Sequence, residues 1–189
     1  DDTVFRYKNN LRSKKLPLKI GFAGKINPKK NIEMLLNAIS KLPVQDVEAH
    51  IVGINNFDSL SHYENALVSE SMPNVTFYEF IRNPQNLAKF YSSMDLMVFP
   101  GSISITTFEA SACGTPVALF ETYEGLEHRV ADGKGVLFAN DEELHSSIVD
   151  FIKKKNNTFI DHSKIAESAS FFAWSSIKRD YYNVYEFNL

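Results

Sequence analysis

Two stretches of the sequence place cations, hydroxyls and one carboxylate at the ends of apolar runs. Lys25 and Lys30 flank the start of a segment with helical periodicity, and lysine charges beside exposed backbone N–H groups can bind a diphosphate. Lysines are also common on solvated surfaces, so this pair leaves both interpretations open. In the second stretch, small hydroxyl residues precede Glu109: Ser102, Ser104 and Thr106. That stretch should begin a helix, where an anion is stabilised because the first N–H groups lack intrahelical partners.

Glu109 itself has two interpretations. Thr106 stands three residues before it, which is the spacing of a capping box, where the carboxylate accepts a hydrogen bond from the cap N–H. The alternative is a carboxylate that accepts hydrogen bonds from two ribose hydroxyls, as acidic residues do in dinucleotide-binding folds. The spacing favours the cap, and both interpretations remain open.

The elements that position these residues follow from the hydrophobic pattern, in which short β-rich runs alternate with helical patterns. The runs are apolar on both faces, which is typical of a parallel sheet covered by helices on both sides. We therefore predict an α/β fold with a doubly wound parallel sheet of about six strands. The predicted strands are Leu18–Ala23, Ala49–Gly53, Val75–Phe80, Leu96–Pro100, Val117–Phe120 and Val136–Phe138. The predicted helices are Lys30–Lys41, Ser59–Glu70, Pro84–Met94, Thr106–Cys113, Gly125–Asp132, Asp141–Lys153, Ser163–Phe172 and Ser175–Phe187.

Ligands of such a sheet bind outside the carboxyl ends of the strands, where loops lead into helices. Gly24 allows a tight exit from the first strand, and Gly53 permits a close backbone approach after the second. Arg82 follows the third strand beside a predicted turn, where it suits a surface ion pair as well as a ligand contact. Gly101 ends the fourth strand, just before the hydroxyl residues.

The composition excludes several classes of protein. With 189 residues, 44% hydrophobic and 23% charged, the chain suits one globular domain rather than a disordered segment. A formal net charge of -3 gives no electrostatic footprint for nucleic acid, and the one basic cluster, Arg12 to Lys15, is interpreted as a solvated linker. No stretch approaches the ~20 apolar residues of a membrane span. The sequence also lacks a Walker loop and a GxGxxG fingerprint, which argues against a P-loop NTPase and an ordinary dinucleotide dehydrogenase.

The cysteine and the histidines favour structural roles. Cys113 is the single cysteine, so it forms no internal disulfide, and its place in the apolar half of a predicted helix indicates a buried thiol and a reducing compartment. The five histidines show no His-x-His or HExxH spacing, so we predict no metal site.

The order of the motifs resembles the C-terminal, donor-binding domain of glycosyltransferase family 4, retaining enzymes built from two Rossmann-like domains and called GT-B. The motifs are GKINPKKN (24–31), IVG (51–53), NVTFYEF (74–80), FEASACGTPVA (108–118) and EGLEHRVADGKGVLF (124–138). The resemblance covers nearly the whole chain after residue 18 and implies one half of a GT-B fold. It implies a linker or interdomain segment at 1–17, a Rossmann-like nucleotide-sugar-binding domain at 18–172, and a C-terminal helix at 173–189 that returns toward an N-terminal, acceptor-binding domain outside this sequence.

The resemblance also implies roles for individual residues. Lys25 stands where the family has Arg and Lys30 matches its Lys, so this pair is identified as catalytic and would neutralise the diphosphate of a nucleotide sugar. Glu109 matches the second carboxylate of the family's Glu-x7-Glu motif, which holds ribose hydroxyls. The implied nucleotide-sugar-binding residues are Gly24, Gly53, Ile81, Arg82, Gly101, Ser102, Ser104, Ile105, Thr106 and Glu109, with the base at Ile81 and Arg82 and the phosphate at the amides of Ile105 and Thr106.

Three departures from the family pattern fall among these residues, one of them being Ser104 where the family usually has Gly. Gly101 stands where the first carboxylate of Glu-x7-Glu is expected, which puts the identity of the sugar in question. Lys25 replaces a forked Arg donor by a point charge, which changes how a phosphate would be oriented.

The resemblance implies a retaining hexosyltransferase that uses a UDP-sugar, a UDP-hexose or UDP-N-acetylhexosamine, without a metal or other cofactor. The implied acceptor is a saccharide or lipid-linked saccharide in surface polysaccharide (lipopolysaccharide O-antigen or capsule) biosynthesis, with the protein cytoplasmic and peripheral to the cytoplasmic membrane face. Two alternatives stay open: a catalytically silent nucleotide-sugar-binding module, which Gly101 motivates, and a UDP-sugar epimerase of the same architecture.

Overall fold

A computed structural model describes residues 3–8, 12–13, 15–122, 125–157, 160–170 and 176. Within this part of the chain, six strands form one parallel sheet: β1 (Leu18–Ala23), β2 (Val47–Ile54), β3 (Val75–Glu79), β4 (Leu96–Phe99), β5 (Val117–Phe120) and β6 (Gly135–Phe138). Their order across the sheet is β3-β2-β1-β4-β5-β6. The predicted six-stranded, doubly wound sheet is confirmed, and every strand lies within two residues of its predicted bounds.

Helices connect the strands and cover both faces of the sheet. They are α1 (Ile32–Ser40), α2 (His62–Ser69), α3 (Pro84–Ser93), α4 (Thr106–Ala112), α5 (Glu127–Val130), α6 (Asp141–Asn157) and α7 (His162–Ala169). Right-handed crossovers place α1 and α2 on one face and α3 and α4 on the other, because the chain returns from edge strand β3 to pair β4 with β1. Accordingly, α1 packs against α6, and α4 packs against α3 and α7.

The core lies on both sides of the central strands. Ile20, Phe22, Leu96 and Val98 are fully buried in β1 and β4, and burial stabilises each such side chain by about 1.5–3 kcal/mol. The rings of Phe22 and Phe99 lie 6.2 Å apart between centroids. A sheet buried on both faces explains why the strands read as continuous apolar runs rather than as alternating patterns.

Several predicted helices are shorter than the sequence indicated, among them Ser59–Glu70, which is reduced to α2 at His62–Ser69. The prediction that a helix starts at Lys30 is wrong, because Asn31 adopts a left-handed conformation (φ 49°, ψ 49°) that separates a 3-10 turn at Pro28–Lys30 from α1. The predicted helix Gly125–Asp132 is reduced to α5, and Asp132 also has a positive φ of 56°. L-residues adopt the left-handed conformation singly and not in series, so a residue with these backbone angles interrupts a helix. The predicted helix Ser175–Phe187 lies outside the described residues, apart from Ser176.

The interpretation of Arg12 as part of a solvated linker is wrong. Its Nε donates to the carbonyl of Met94 at 2.7 Å, and its Nη2 donates to the carbonyl of Cys113 at 3.2 Å and to the hydroxyl of Thr115. Burial lowers the pKa of the Arg12 guanidinium to about 10. Arg12 therefore ties the end of α3 to the end of α4, whereas the division of the chain at residues 17 and 172 remains a prediction.

A buried ion pair lies next to Arg12, at the amino-terminal end of β4. Asp95, just before β4, accepts a hydrogen bond from the N–H of Lys19 at 2.7 Å and contacts the ammonium of Lys155 on α6. Only 6% of the Asp95 side chain and 4% of the Lys155 side chain are exposed. The pair therefore attaches α6 to the amino-terminal edge of β1 and β4.

Cys113 follows α4 and is fully buried, as the sequence predicted. Burial raises the pKa of its thiol to about 11. The thiol is therefore a packed apolar group rather than a nucleophile at neutral pH.

Candidate nucleotide-sugar site

The candidate site lies where the strand order reverses, between the carboxyl ends of β1 and β4. The turn Pro28–Lys30 follows β1, and residues 100–105 follow β4. Two hydrogen bonds join these loops, from the N–H of Ser102 to the carbonyl of Lys29 at 2.9 Å and from the Lys30 ammonium to the carbonyl of Ser102 at 2.5 Å. Partial burial lowers the pKa of Lys30. The structure thus brings the predicted residues Lys30 and Ser102 into contact at the switch point of the sheet.

Gly101 is a glycine for a steric reason. A Cβ at this position would lie 2.2 Å from the carbonyl oxygen of Lys29 and 2.8 Å from the Cα of Lys30. The turn Pro28–Lys30 therefore occupies the space that a side chain at residue 101 would need.

The hydroxyl residues after Gly101 bond to one another and to the start of α4. The hydroxyls of Ser104 and Thr106 lie 2.6 Å apart, and the Thr107 hydroxyl donates to the carbonyl of Ser104 at 3.0 Å. The backbone bonds of the first turn begin with the N–H of Thr107, which donates to the same carbonyl. The amides of Ile105 and Thr106 lie ahead of that bond, at the positive end of the helix.

The capping-box interpretation of Glu109 is wrong. Thr106 is already the first residue of α4, the cap is Ile105, and no side chain caps the helix. The Glu109 carboxylate instead accepts a hydrogen bond from the hydroxyl of Tyr91 on α3, at 3.2 Å. Burial raises the pKa of Glu109 and also raises that of Tyr91. The carboxylate therefore points toward α3 rather than back to the amino terminus of its own helix.

A cleft of about 620 Å3 opens beside the turn Pro28–Lys30, on the side of α2. Lys25, Gly53, Asn55 and Phe80 line it together with Glu64. Glu64 is fixed by a capping box at the start of α2, where its carboxylate accepts from Ser61 and its pKa is lowered by that hydrogen bond. The cleft thus combines a cation and an amide with an aromatic ring that is 39% exposed, that of Phe80.

The close approach predicted at Gly53 is made to another part of the backbone. With a φ of 152°, Gly53 brings its Cα so near Gly24 that a Cβ would lie 1.8 Å from the Gly24 carbonyl oxygen. The N–H of Gly24 in turn donates to the carbonyl of Val52 at 3.1 Å. These two glycines let β1 and β2 end side by side without a gap.

The predicted site residues therefore fall into four groups. Lys30, Gly101 and Ser102 meet at the switch point, with Ser104, Ile105 and Thr106 following at the start of α4. Lys25, Gly24 and Gly53 lie toward the cleft, and Glu109 lies on the inner side of α4. Ile81 and Arg82 follow Phe80, whose N–H donates to the carbonyl of Ile54 at 2.9 Å, and no described contact joins them to the other groups.

Sequence reasoning missed Tyr91, Phe80 and Glu64. No spacing rule links Tyr91 to Glu109, because the contact crosses between two helices. The Ser61-x-x-Glu64 spacing of a capping box was present in the sequence and would have identified Glu64.

Across the described ranges, no group of three or more His, Cys, Asp or Glu side chains is placed to hold a metal ion. None of the helices in these ranges has the length and apolar character needed to cross a bilayer.

Comparison with known proteins identifies the family. A family model described as glycosyl transferases group 1 matches residues 17–154. The chain belongs to this family. Membership in the glycosyl transferases group 1 confirms the resemblance read from the motifs.

Individual relatives agree with this assignment. The chain is 34% identical over 121 residues to D-inositol 3-phosphate glycosyltransferase from Mycobacterium sp. (strain KMS), a match covering 60% of this chain and 27% of that protein. Sucrose-phosphate synthase from Thermosynechococcus elongatus superposes with a TM-score of 0.79 at 22% identity, over 98% of this chain and 50% of that one. Anabaena HepE in complex with UDP gives a TM-score of 0.75 at 20% identity, over 89% of this chain and 48% of that one. The chain thus spans about a quarter of the first relative and half of the solved structures, whose Rossmann-like fold it shares.

Proposed function

We propose that this chain is the donor-binding part of a retaining glycosyltransferase and that it binds the diphosphate of a nucleotide sugar at the switch point of the sheet. One observation carries the proposal: the Lys30 ammonium bonds to the loop that begins α4, so a cation and a positive helix end converge on one place. Membership in the glycosyl transferases group 1 supplies the reaction class.

The proposed chemistry is stabilisation of the departing diphosphate. The bond between the anomeric carbon and the diphosphate oxygen breaks while a bond to the acceptor oxygen forms on the same face, and the acceptor proton passes to the departing diphosphate. Lys30 and the amides of Ile105 and Thr106 face the negative charge that grows on the leaving group, where preorganised donors act most strongly. Lys25, on the cleft side of the same loop, supplies a second cation. This role requires no metal.

The proposed donor is a UDP-sugar, either a UDP-hexose or a UDP-N-acetylhexosamine, with Glu109 holding the ribose hydroxyls and the loop at Ile81 and Arg82 facing the base. HepE, which shares the fold, was solved with UDP. The proposed acceptor is a saccharide or lipid-linked saccharide of a surface polysaccharide, met at the cytoplasmic face of the membrane. Because the similar mycobacterial protein is named for D-inositol 3-phosphate, that compound belongs in the panel of acceptors to be tested.

Calorimetric titration of the chain with UDP, GDP and ADP tests the donor site. We expect selective binding of UDP and at least about a tenfold loss of affinity in Lys30→Ala and in Glu109→Ala, since each removes a charged hydrogen-bond partner of the ligand. Lys29→Ala is the matched control, because it removes an exposed lysine from the same turn. A folded chain that binds none of the three nucleotides would refute the proposal.

Gly101 favours one alternative, a module that binds the donor without transferring the sugar. The turn at Pro28–Lys30 fills the space where the family carries its first carboxylate. The two functions are separated by incubating labelled UDP-sugars with a protein that also contains the proposed acceptor-binding part, with and without saccharide acceptors, because a silent module yields no product in either case. An epimerase would convert the UDP-sugar without any acceptor.

A further inference from the structure

Tyr91 is the protein partner of the Glu109 carboxylate. Its hydroxyl donates to Oε2 of Glu109 at 3.2 Å, and the side chain is fully buried in α3. The ring is packed against that of Phe5, with centroids 6.0 Å apart. The Tyr91 carbonyl accepts a hydrogen bond from the buried hydroxyl of Thr115 at 2.6 Å. Both the backbone and the ring of Tyr91 are therefore held in place from outside the site.

We propose that Tyr91 is a positioning residue that fixes one oxygen of Glu109 so that the other faces a ribose diol. This inference rests on the proposed function, in which Glu109 holds the ribose. An ionised carboxylate only accepts hydrogen bonds and has two oxygens with about four lone-pair sites. The Tyr91 hydroxyl engages Oε2, which leaves Oε1 and the remaining lone pairs of Oε2 for the ligand.

The arrangement matters because Glu109 has no other anchor among the described residues. It lies within α4, where it does not bond to the helix cap, and its side chain is only half-buried. A free glutamate samples several rotamers, and ordering it upon ligand binding costs affinity. A tyrosine that selects one rotamer beforehand removes that cost and directs the carboxylate.

The same reasoning separates a positioning role from a purely structural one. Loss of packing in α3 would lower the affinity for all nucleotides equally. Loss of the Glu109 orientation would lower the affinity only for those nucleotides that carry the ribose hydroxyls recognised by the carboxylate. The informative quantity is therefore the ratio of the affinity for UDP to the affinity for 2′,3′-dideoxy-UDP, which lacks both hydroxyls.

The experiment measures that ratio by calorimetry for the unaltered chain, Tyr91→Phe, Glu109→Gln and the double variant. In Tyr91→Phe we expect UDP affinity to fall about 3- to 10-fold, the range of one lost hydrogen bond, and the affinity for 2′,3′-dideoxy-UDP to change less than twofold. Glu109→Gln should remove the preference for ribose, and Tyr91→Phe added to it should have no further effect on the ratio. Tyr78→Phe is the matched control, since the Tyr78 hydroxyl bonds to a side chain outside the site, Nδ1 of His50, at 2.9 Å.

The outcomes distinguish this inference from the proposed function. If the unaltered chain binds no UDP, the proposed function fails. If the chain prefers ribose, Glu109→Gln loses that preference and Tyr91→Phe keeps it, the role of Tyr91 is refuted and the proposed function stands. Should Tyr91→Phe fail to fold, 3-fluorotyrosine at position 91 keeps the ring and makes the hydroxyl a stronger donor. An unchanged ribose preference in that protein would also overturn the inference.

Discussion

The Cα of Gly101 packs directly against the backbone of Lys29, so that a Cβ on Gly101 would lie 2.2 Å from the Lys29 carbonyl oxygen. This contact fixes the end of β4 against the turn that carries Lys30. A glutamate side chain at residue 101 would therefore be incompatible with the turn as it lies here.

Gly101→Ala is expected to lower the free energy of unfolding by about 1–3 kcal/mol, as overpacking of a tight contact does. Gly101→Glu should cost at least as much and weaken UDP binding, because the turn with Lys30 must move to admit the side chain. Urea unfolding and UDP titration measure both effects. Lys29→Ala, which removes an exposed side chain from the same turn, is the control and should behave like the unaltered chain. An increase in UDP affinity in Gly101→Glu would contradict the packing argument.

The Asp95–Lys155 pair predicts strong coupling between α6 and the sheet. Lys155→Met and Asp95→Asn should each lower the free energy of unfolding by about 3–5 kcal/mol, because each leaves one buried group without its charged partner. The double variant should cost less than the sum of the single changes. A double-mutant cycle in urea measures the difference, with the exposed pair Lys153–Asp150 as the comparison. Additive costs would show that the two side chains do not interact.

Arg12 predicts that the segment before β1 contributes to stability. Arg12→Ala removes hydrogen bonds to the carbonyls of Met94 and Cys113 and should lower the free energy of unfolding by about 2 kcal/mol or more, since bonds to charged groups exceed neutral ones. Thermal unfolding is the measurement. Lys15→Ala, in the same basic cluster but exposed, should change stability by no more than about 0.5 kcal/mol. Equal effects of the two changes would restore the linker interpretation for Arg12.

Glu109 predicts a pH dependence of UDP binding. Burial raises the pKa of its carboxyl above the usual 4.5, and only the ionised form accepts hydrogen bonds from both ribose hydroxyls. As the pH falls through the raised pKa, the carboxylate becomes protonated and UDP affinity should decline at a higher pH than an ordinary glutamate would give. Glu109→Gln retains the titration of the UDP phosphates but lacks this component. Parallel pH profiles for the two proteins would contradict the assignment.

The pattern of apolar residues along the sequence predicted the strands well. β1 and β5 match their predicted bounds because each has a neighbouring strand on both sides and is buried, so its apolar run is continuous. The start of α1 could not be predicted, because the left-handed conformation of Asn31 depends on how Pro28–Lys30 packs against Gly101. The helical spacing of apolar residues in the sequence gives no sign of the interruption at Asn31.

The sequence predicted candidate residues of the site but not the residues to which their side chains bond. Lys30 and Glu109 were identified from motif resemblance, whereas the bonds they make reach 72 and 18 residues along the chain. Arg12 was misinterpreted for the same reason, since its contact with Met94 spans 82 residues. Long-range contacts of this kind are set by the packing of elements, which spacing within one segment does not encode.

The rate at which a reagent labels the Cys113 thiol can report how often the structure around it opens. Cys113 is the single cysteine of the chain, and its thiol is fully buried between the end of α4 and the sheet, with a pKa of about 11. A thiol reagent can therefore react only during the moments when α4 lifts away. Because α4 also carries Glu109, the labelling rate of an unmodified protein reports on the helix proposed to bind the donor, and slower labelling in the presence of UDP would indicate that UDP is bound, without any added reporter group.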